Sequence, residues 1–165
     1  MGCAVGLLTT YSVEEVESEV AKLTPHLPMA ELMNGGIIKL GGANGFFNPN
    51  SLLDPSWLKG KMTVEEYQQA INYINKCAAH SQIGLTKAYN TSEGPMRLNL
   101  RTQAGMRAVE EINQRHRGVR FTYQQTVQNL QMNVSWELDP TQKVMLAGRS
   151  PVGHATLTIL YITIN

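Results

Sequence analysis

The spacing of apolar residues changes at Gly118, and that change restricts the fold more than any other feature of the chain. Before Gly118, apolar positions recur every three or four residues, as in Val13, Val16, Val20 and Leu23, or Val64, Tyr67, Ile71, Ile74 and Ala78. After it they alternate. Val119, Phe121 and Tyr123 are interleaved with Arg120 and Thr122, and Met132, Val134, Trp136 and Leu138 with Asn133, Ser135 and Glu137. Leu157, Ile159 and Tyr161 continue the pattern, with Ile162 and Ile164 out of phase. A period near 3.6 describes an amphipathic helix and a period of two a half-buried strand. Helices first and strands last imply the α+β class: a single domain of about three helices packed on a small antiparallel sheet.

Local signals place the elements. Ser12-Val13-Glu14-Glu15 and Thr63-Val64-Glu65-Glu66 have the form of capping boxes and open two helices. Pro25 and Pro28 end the first of these, while Gln68, Gln69, Asn72 and Asn75 fall outside the apolar stripe of the second. A third helix is expected from about Thr102 to Gln114, burying Met106, Val109 and Ile112 and ending before Gly118. Ile37-Ile38-Lys39-Leu40, fenced by Gly35-Gly36 and Gly41-Gly42, is expected to be a short strand. Those glycines match neither Gly-x-Gly-x-x-Gly nor a Gly-Lys-Ser/Thr ending, so a phosphate loop is not indicated. Residues 43–60 and 84–96 are expected to be loops, the latter flexible. Asp139-Pro140 and Ser150-Pro151 punctuate the three strands expected after Gly118.

At 165 residues the chain suits one domain with its own core. Residues 12–165 are assigned to it, and residues 1–11 to a flexible tip able to carry lipid. No run approaches the roughly 18 apolar residues of a membrane span. Two cysteines, Cys3 and Cys77, are too few for a disulfide-rich scaffold or a cysteine zinc centre. The chain starts Met1-Gly2-Cys3-Ala4-Val5-Gly6, which offers Gly2 for myristoylation and Cys3 for palmitoylation, although Gly6 replaces the usual Ser or Thr. One myristoyl chain binds membranes only marginally. No Lys or Arg precedes Lys22, so Cys3 would have to supply the second anchor.

The net charge of +1 conceals a division: residues 1–96 carry −3 and residues 97–165 carry +4. Six arginines, Arg97, Arg101, Arg107, Arg115, Arg117 and Arg120, crowd one segment. They form either a solvated helix face or a surface for acidic lipid headgroups or an acidic partner. Nucleic acid is not expected as a partner, because the chain as a whole is not strongly basic.

Catalytic signatures are sparse. His26, His80, His116 and His154 fall in four different segments, and Cys77-x-x-His80 is the only pair with ligand-like spacing. Three or four ligands are needed for zinc, so no metal or cofactor is expected, and Cys77 reads as a packing thiol. No Gly-x-Ser-x-Gly elbow occurs. Trp136 and Phe121 are the largest candidate core or interface side chains of the strand region. A soluble enzyme using Cys77 or a histidine is the least favoured alternative.

Two blocks of sequence carry a resemblance. The first is Phe47, then Leu58-Lys59-Gly60-Lys61-Met62-Thr63-Val64-Glu65-Glu66-Tyr67, then Ile71-Asn72-Tyr73-Ile74-Asn75-Lys76-Cys77. The second is Arg107-Ala108-Val109-Glu110-Glu111-Ile112-Asn113, Val134-Ser135-Trp136-Glu137-Leu138 and Leu157-Thr158-Ile159-Leu160-Tyr161-Ile162. Together they resemble the golgin subfamily A member 7 and cysteine-rich hydrophobic-domain family, accessory subunits of DHHC-type protein palmitoyltransferases. The hydrophobic middle stretch of that family is replaced here by Ala78 to Leu100, which is polar and lacks cysteine. The resemblance implies a non-catalytic subunit that stabilises such an enzyme at the cytosolic face of the Golgi, endoplasmic reticulum or plasma membrane. An unrelated lipid-anchored adaptor is the alternative the same Met-Gly-Cys start supports.

Overall fold

Both Ser/Thr-x-x-Glu sequences start helices. Ser12 Oγ accepts from the Glu15 amide at 3.2 Å, opening α1 (Val13–Leu23). Thr63 makes the reciprocal form at α2 (Val64–His80): the Glu66 amide donates to Thr63 Oγ1 at 3.1 Å, and the Thr63 amide donates to Glu66 Oε1 at 3.3 Å. Each such cap contributes about 1 kcal/mol and aligns acidic groups with the positive helix end. The computed structural model describes residues 9–85, 87, 93–131 and 152–165, with backbone alone at 93–95, 127–131 and 152–156.

The third helix, α3 (Glu93–Arg115), is longer than its apolar spacing predicts. It takes in Glu93 to Met96, which the sequence assigned to a flexible loop. Its inward face is also displaced: Arg101, Thr102, Gly105, Ala108, Val109 and Ile112 are buried, while Met106, expected in the core, is 39% exposed. The cause is Gly105. A Cβ there would lie 2.9 Å from the Tyr123 ring, so the helix approaches the sheet along its small residues and Met106 swings outward. After Arg115 the chain turns at Gly118, whose φ of +92° suits only glycine well, and enters the sheet.

Among the described residues four strands form one antiparallel sheet: β1 (Glu31–Leu32), β2 (Ile38–Ala43), β3 (Val119–Gln131) and β4 (Val152–Ile164), in the order β1-β2-β4-β3. The expected strand at Ile37–Leu40 therefore begins one residue later and runs through Gly41-Gly42. The strand begun at Val119 continues to Gln131. The strand expected at Met132–Leu138, with Trp136, lies outside the described residues. β4 is central: Ile38 and Phe121 both face Ile162 across the ladder, and Leu40 and Tyr123 both face Leu160.

Helices cover one face of this sheet. Ile38 and Leu40 of β2, Leu160 and Ile162 of β4, and Val119 and Phe121 of β3 meet Tyr67, Ile71 and Ile74 of α2 and Ala108, Val109 and Ile112 of α3 in one core. Phe121 is thus a core residue, 1% exposed. Phe47 stands edge-on to Tyr123, centroids 5.7 Å apart. A smaller cluster of Val16, Leu27, Phe46, Ala78 and Ala79 attaches α1 to the end of α2. Here Thr9 to Tyr11, assigned by sequence to the flexible tip, are tied down. The Tyr11 amide donates to the Leu85 carbonyl at 3.1 Å, and the Gly84 amide to the Tyr11 carbonyl at 3.0 Å. Among the described residues the architecture is α+β with three α-helices on a four-stranded antiparallel sheet, as the change of period predicts.

Two asparagines act as joints. Asn75, placed by spacing outside the stripe of α2, is 2% exposed and binds the Phe47 backbone through both ends of its amide. Asn113 of α3 does the same to Phe121: its Nδ2 donates to the Phe121 carbonyl at 2.9 Å, and its Oδ1 accepts from the Phe121 amide at 2.8 Å. One joint fastens the loop after β2 to α2, the other fastens β3 to α3. The Leu58-Lys59-Gly60-Lys61 turn is fixed by two successive left-handed residues, Lys59 at φ 51° and Gly60 at φ 71°, with Leu58 buried beneath.

Candidate functional site

The six arginines do not form one surface. Arg97 and Arg101, one helical turn apart on α3, point inward across the end of α2 to α1. Arg97 Nη2 donates to Glu19 Oε2 at 3.1 Å and Arg101 Nη2 to Glu19 Oε1 at 3.0 Å. Both also donate to Gln82 Oε1, at 2.6 and 3.0 Å. Arg97 stacks on Tyr11 and Arg101 on Phe46, 4.6 and 4.9 Å from the ring centroids. Arg101 is 5% exposed, and burial pulls its guanidinium below its usual pKa while Glu19 opposes that shift. This is a joint between helices, not a partner surface, so the assignment of Arg97 and Arg101 to an outward patch is corrected. Glu19 lies on the side of α1 facing α3.

The other four remain outside. Arg107, Arg115, Arg117 and Arg120 are exposed, and Arg115 sits 5.6 Å from the Tyr73 ring centroid. Arg117 and Arg120, with His116 and Glu110, line a polar cleft of ≈400 Å³ where α3 turns into β3. His116 Nδ1 is 3.4 Å from Glu66. Basic groups at this position balance the negative end of the α3 dipole. Gly2 and Cys3 lie outside the described residues.

Cys77 is half-buried with a free thiol against the main core. One turn before it, the Tyr73 hydroxyl donates to Glu111 of α3; that carboxylate, and then Cys77, push the phenol up to about 12. His80 Nε2 lies 3.0 Å from Glu17. Among the described residues no three His, Cys, Asp or Glu side chains gather as a metal site, and no described helix is long and apolar enough to cross a membrane.

The outward face of the sheet is unlike the rest of the surface. Across its rows stand Lys39, Tyr161 and Thr122; then Gly41, Ile159 and Gln124; then Ala43, Leu157 and Thr126. Leu157, Ile159 and Tyr161 are half-buried and no described helix lies over them. A groove of ≈240 Å³ runs between Pro28 and Met29 on one side and Leu157 and Ile159 on the other, with Glu31 and Lys39 at its rim. Its floor is Gly41, where an added Cβ would meet nothing within 4 Å. Gly42, next in sequence, faces the core, and a Cβ there would lie 2.4 Å from the Phe46 carbonyl oxygen. Met29, Leu32 and Met33 are each at least 40% exposed in the segment bordering the groove.

No motif in the sequence marks this groove. The signal was present in β4, where Leu157 through Ile162 is apolar on both phases apart from Thr158; strands with both faces covered read this way. Comparison with family models found no match to the chain, and neither curated proteins nor solved structures gave one.

Proposed function

We propose that the protein is a non-catalytic accessory subunit that stabilises a DHHC-type palmitoyltransferase at a cytosolic membrane face, the acyl chemistry being done by the enzyme. The observation that carries this reading is where the two resembling blocks fall. Asn75 and the Leu58-Lys59-Gly60 turn of the first block, and Asn113 of the second, are joints of the fold rather than reactive groups. Residues that fix a frame are what a shared scaffold would hold in common.

Other features agree with a binding role. Glu17 and Glu19 engage His80, Arg97 and Arg101, while the outward sheet face keeps an apolar band. Acyl chains on Gly2 and Cys3 would hold the subunit at the bilayer, and Arg107, Arg115, Arg117 and Arg120 would face acidic headgroups or an acidic partner. Co-purification from detergent extract tests the reading. A DHHC enzyme in stoichiometric amount is expected, with lower yield of that enzyme when the subunit is omitted. Its absence from the purified complex would overturn the reading. Mass analysis of the N-terminal peptide, and release to the cytosol on deleting Gly2 and Cys3, test the anchor.

A further inference from the structure

We infer that the surface beneath α1 is a docking groove for an acidic amphipathic helix of a partner protein, with α1 its displaceable intramolecular occupant. The inference goes beyond the accessory-subunit reading, because it specifies the segment bound and not the protein that carries it.

The groove and its occupant are built unequally. On the groove side, Phe46, Ala78 and Ala79 form a small apolar floor, each at most 1% exposed, with Gln82 and Arg101 buried beside it. On the occupant side, Val16 is the one buried residue of α1, and Val20 and Leu23 are only partly covered. The rest of the hold is electrostatic. Glu15 pairs with Lys87, Glu17 with His80, and Glu19 with both Arg97 and Arg101. These three carboxylates keep 40 to 55% of their side-chain surface in water, where such pairs add little stability. A helix held this way opens before the domain as a whole unfolds.

Hydrogen bonding in the groove is also incomplete. Gln82 Oε1 accepts from both arginines, yet Gln82 Nε2 and Arg101 Nε, both buried, have no acceptor. Among the described acids only Glu19 reaches the arginines, and both its oxygens are already taken. A buried donor without an acceptor forfeits its hydration, so a helix bringing one further carboxylate here gains what α1 lacks.

The chemistry of the ligand follows from α1 itself. Val16, Val20 and Leu23 stand at i, i+4 and i+7, with Glu15 and Glu19 one turn apart beside them. The opposing cations are His80 on α2, Lys87, and Arg97 and Arg101 on α3. A competing helix needs the same pattern of aliphatic residues flanked by carboxylates. Because α1 is tethered, its effective concentration is on the order of millimolar, so a partner succeeds by also satisfying the two unmatched donors.

The test uses the full chain, with a fluorescein-labelled synthetic peptide of residues 9–27 as the probe, read by fluorescence anisotropy. Glu19→Gln, which loosens α1, should bind this peptide at least tenfold tighter than the wild-type chain does. Adding Arg97→Gln should weaken that binding at least tenfold, as should Glu15→Gln, Glu17→Gln and Glu19→Gln made together in the peptide. Hydrogen exchange gives a measure independent of the peptide. On Glu19→Gln, the exchange rate of residues 16–23 should rise at least tenfold more than that of residues 67–74 on α2. Equal or absent binding by the two chains, binding indifferent to Arg97→Gln or to the peptide's carboxylates, or exchange of α1 in step with α2 would each overturn the inference. So would displacement of the peptide by phosphatidylserine vesicles, or a Glu19→Gln dimer that the peptide dissociates, since these give the groove to lipid or to a second copy.

Discussion

Asn75 holds the backbone of Phe47 at both ends: the Phe47 amide donates to Asn75 Oδ1 at 2.8 Å, and Asn75 Nδ2 donates to the Phe47 carbonyl at 2.7 Å. Phe47 is fully buried, and its ring sits beneath Gly42 and against Tyr123. A loop strand normally finds its hydrogen bonds in a neighbouring strand or in water. Here one side chain on α2 substitutes for both, which lets the loop after β2 enter the core.

Removing that amide should be among the most damaging single changes in the chain. Asn75→Ala leaves a buried N–H and a buried C=O without partners, a loss of roughly 3 kcal/mol. For a domain of this size that corresponds to a fall in Tm of about 6–12 °C. Asn113→Ala removes the analogous pair at Phe121, but its bonds are only part-buried and water can replace them, so about 1 kcal/mol is expected. Thermal melts of the two variants check the order; equal losses would show that burial does not set the difference.

Gly41 and Gly42 should respond oppositely to the same substitution. Gly42→Ala forces a methyl into the Phe46 carbonyl and the Phe47 ring, and overpacking of this kind costs about 1–3 kcal/mol. Gly41→Ala meets open space in a strand, where a side chain is preferred to glycine, and should be neutral or stabilising by up to about 1 kcal/mol. Urea midpoints at constant m-value decide it. A stable Gly42→Ala would mean that the loop at Phe46 yields more readily than its hydrogen bonds suggest.

The arginines divide into two groups that stability measurements can separate. Arg101→Gln strips Glu19 of one partner and removes the cation over Phe46 from a site that is 5% exposed. A loss of about 2 kcal/mol is expected, reduced from that of a fully buried pair because Glu19 is itself partly exposed. Arg117→Gln and Arg120→Gln, both exposed, should leave stability within about 0.5 kcal/mol and act on binding alone. A double-mutant cycle of Arg101 with Glu19 should show coupling. Coupling indistinguishable from zero would reduce the joint to simple packing.

These contrasts show what the sequence made legible. The starts of α1 and α2 were readable because capping is local: Ser12 and Thr63 need only residues three positions away. The α+β class was readable because period reports which face is buried. Partners distant in sequence were not readable. Nothing near Asn75 announces Phe47, 28 residues earlier, and nothing near Arg101 announces Glu19, 82 residues earlier. Counting charges by segment treated six arginines alike, whereas the turn of α3 sends two of them inward. Met106 was misplaced for a related reason, since Gly105 contributes nothing to a hydrophobic pattern yet decides which side of the helix touches the sheet. The apolar band of β4 was visible as letters, but only the strand order shows which of its two phases no described element covers.

Alkaline pH should expose the Tyr67 joint. Tyr67 is fully buried and shares a 2.6 Å hydrogen bond with Ser51 Oγ, tying α2 to the loop after β2. Burial pushes its hydroxyl from the usual 10 up to about 12, with the bond to Ser51 a smaller opposing influence. Between these values the unfolded chain loses the phenolic proton while the folded protein retains it. Fewer protons bound to the unfolded state means that stability falls as pH rises. The contribution is complete below pH 10 and gone above pH 12, a change of roughly 3 kcal/mol. Tyr67→Phe should flatten this part of the pH–stability curve, at the expense of leaving the buried Ser51 hydroxyl unpartnered at every pH. Phenolate absorbance at 295 nm gives an independent reading: Tyr67 should ionise together with unfolding rather than before it. If ionisation came first while the tertiary circular dichroism stayed native, the hydroxyl would be open to solvent and the pH dependence would have another source.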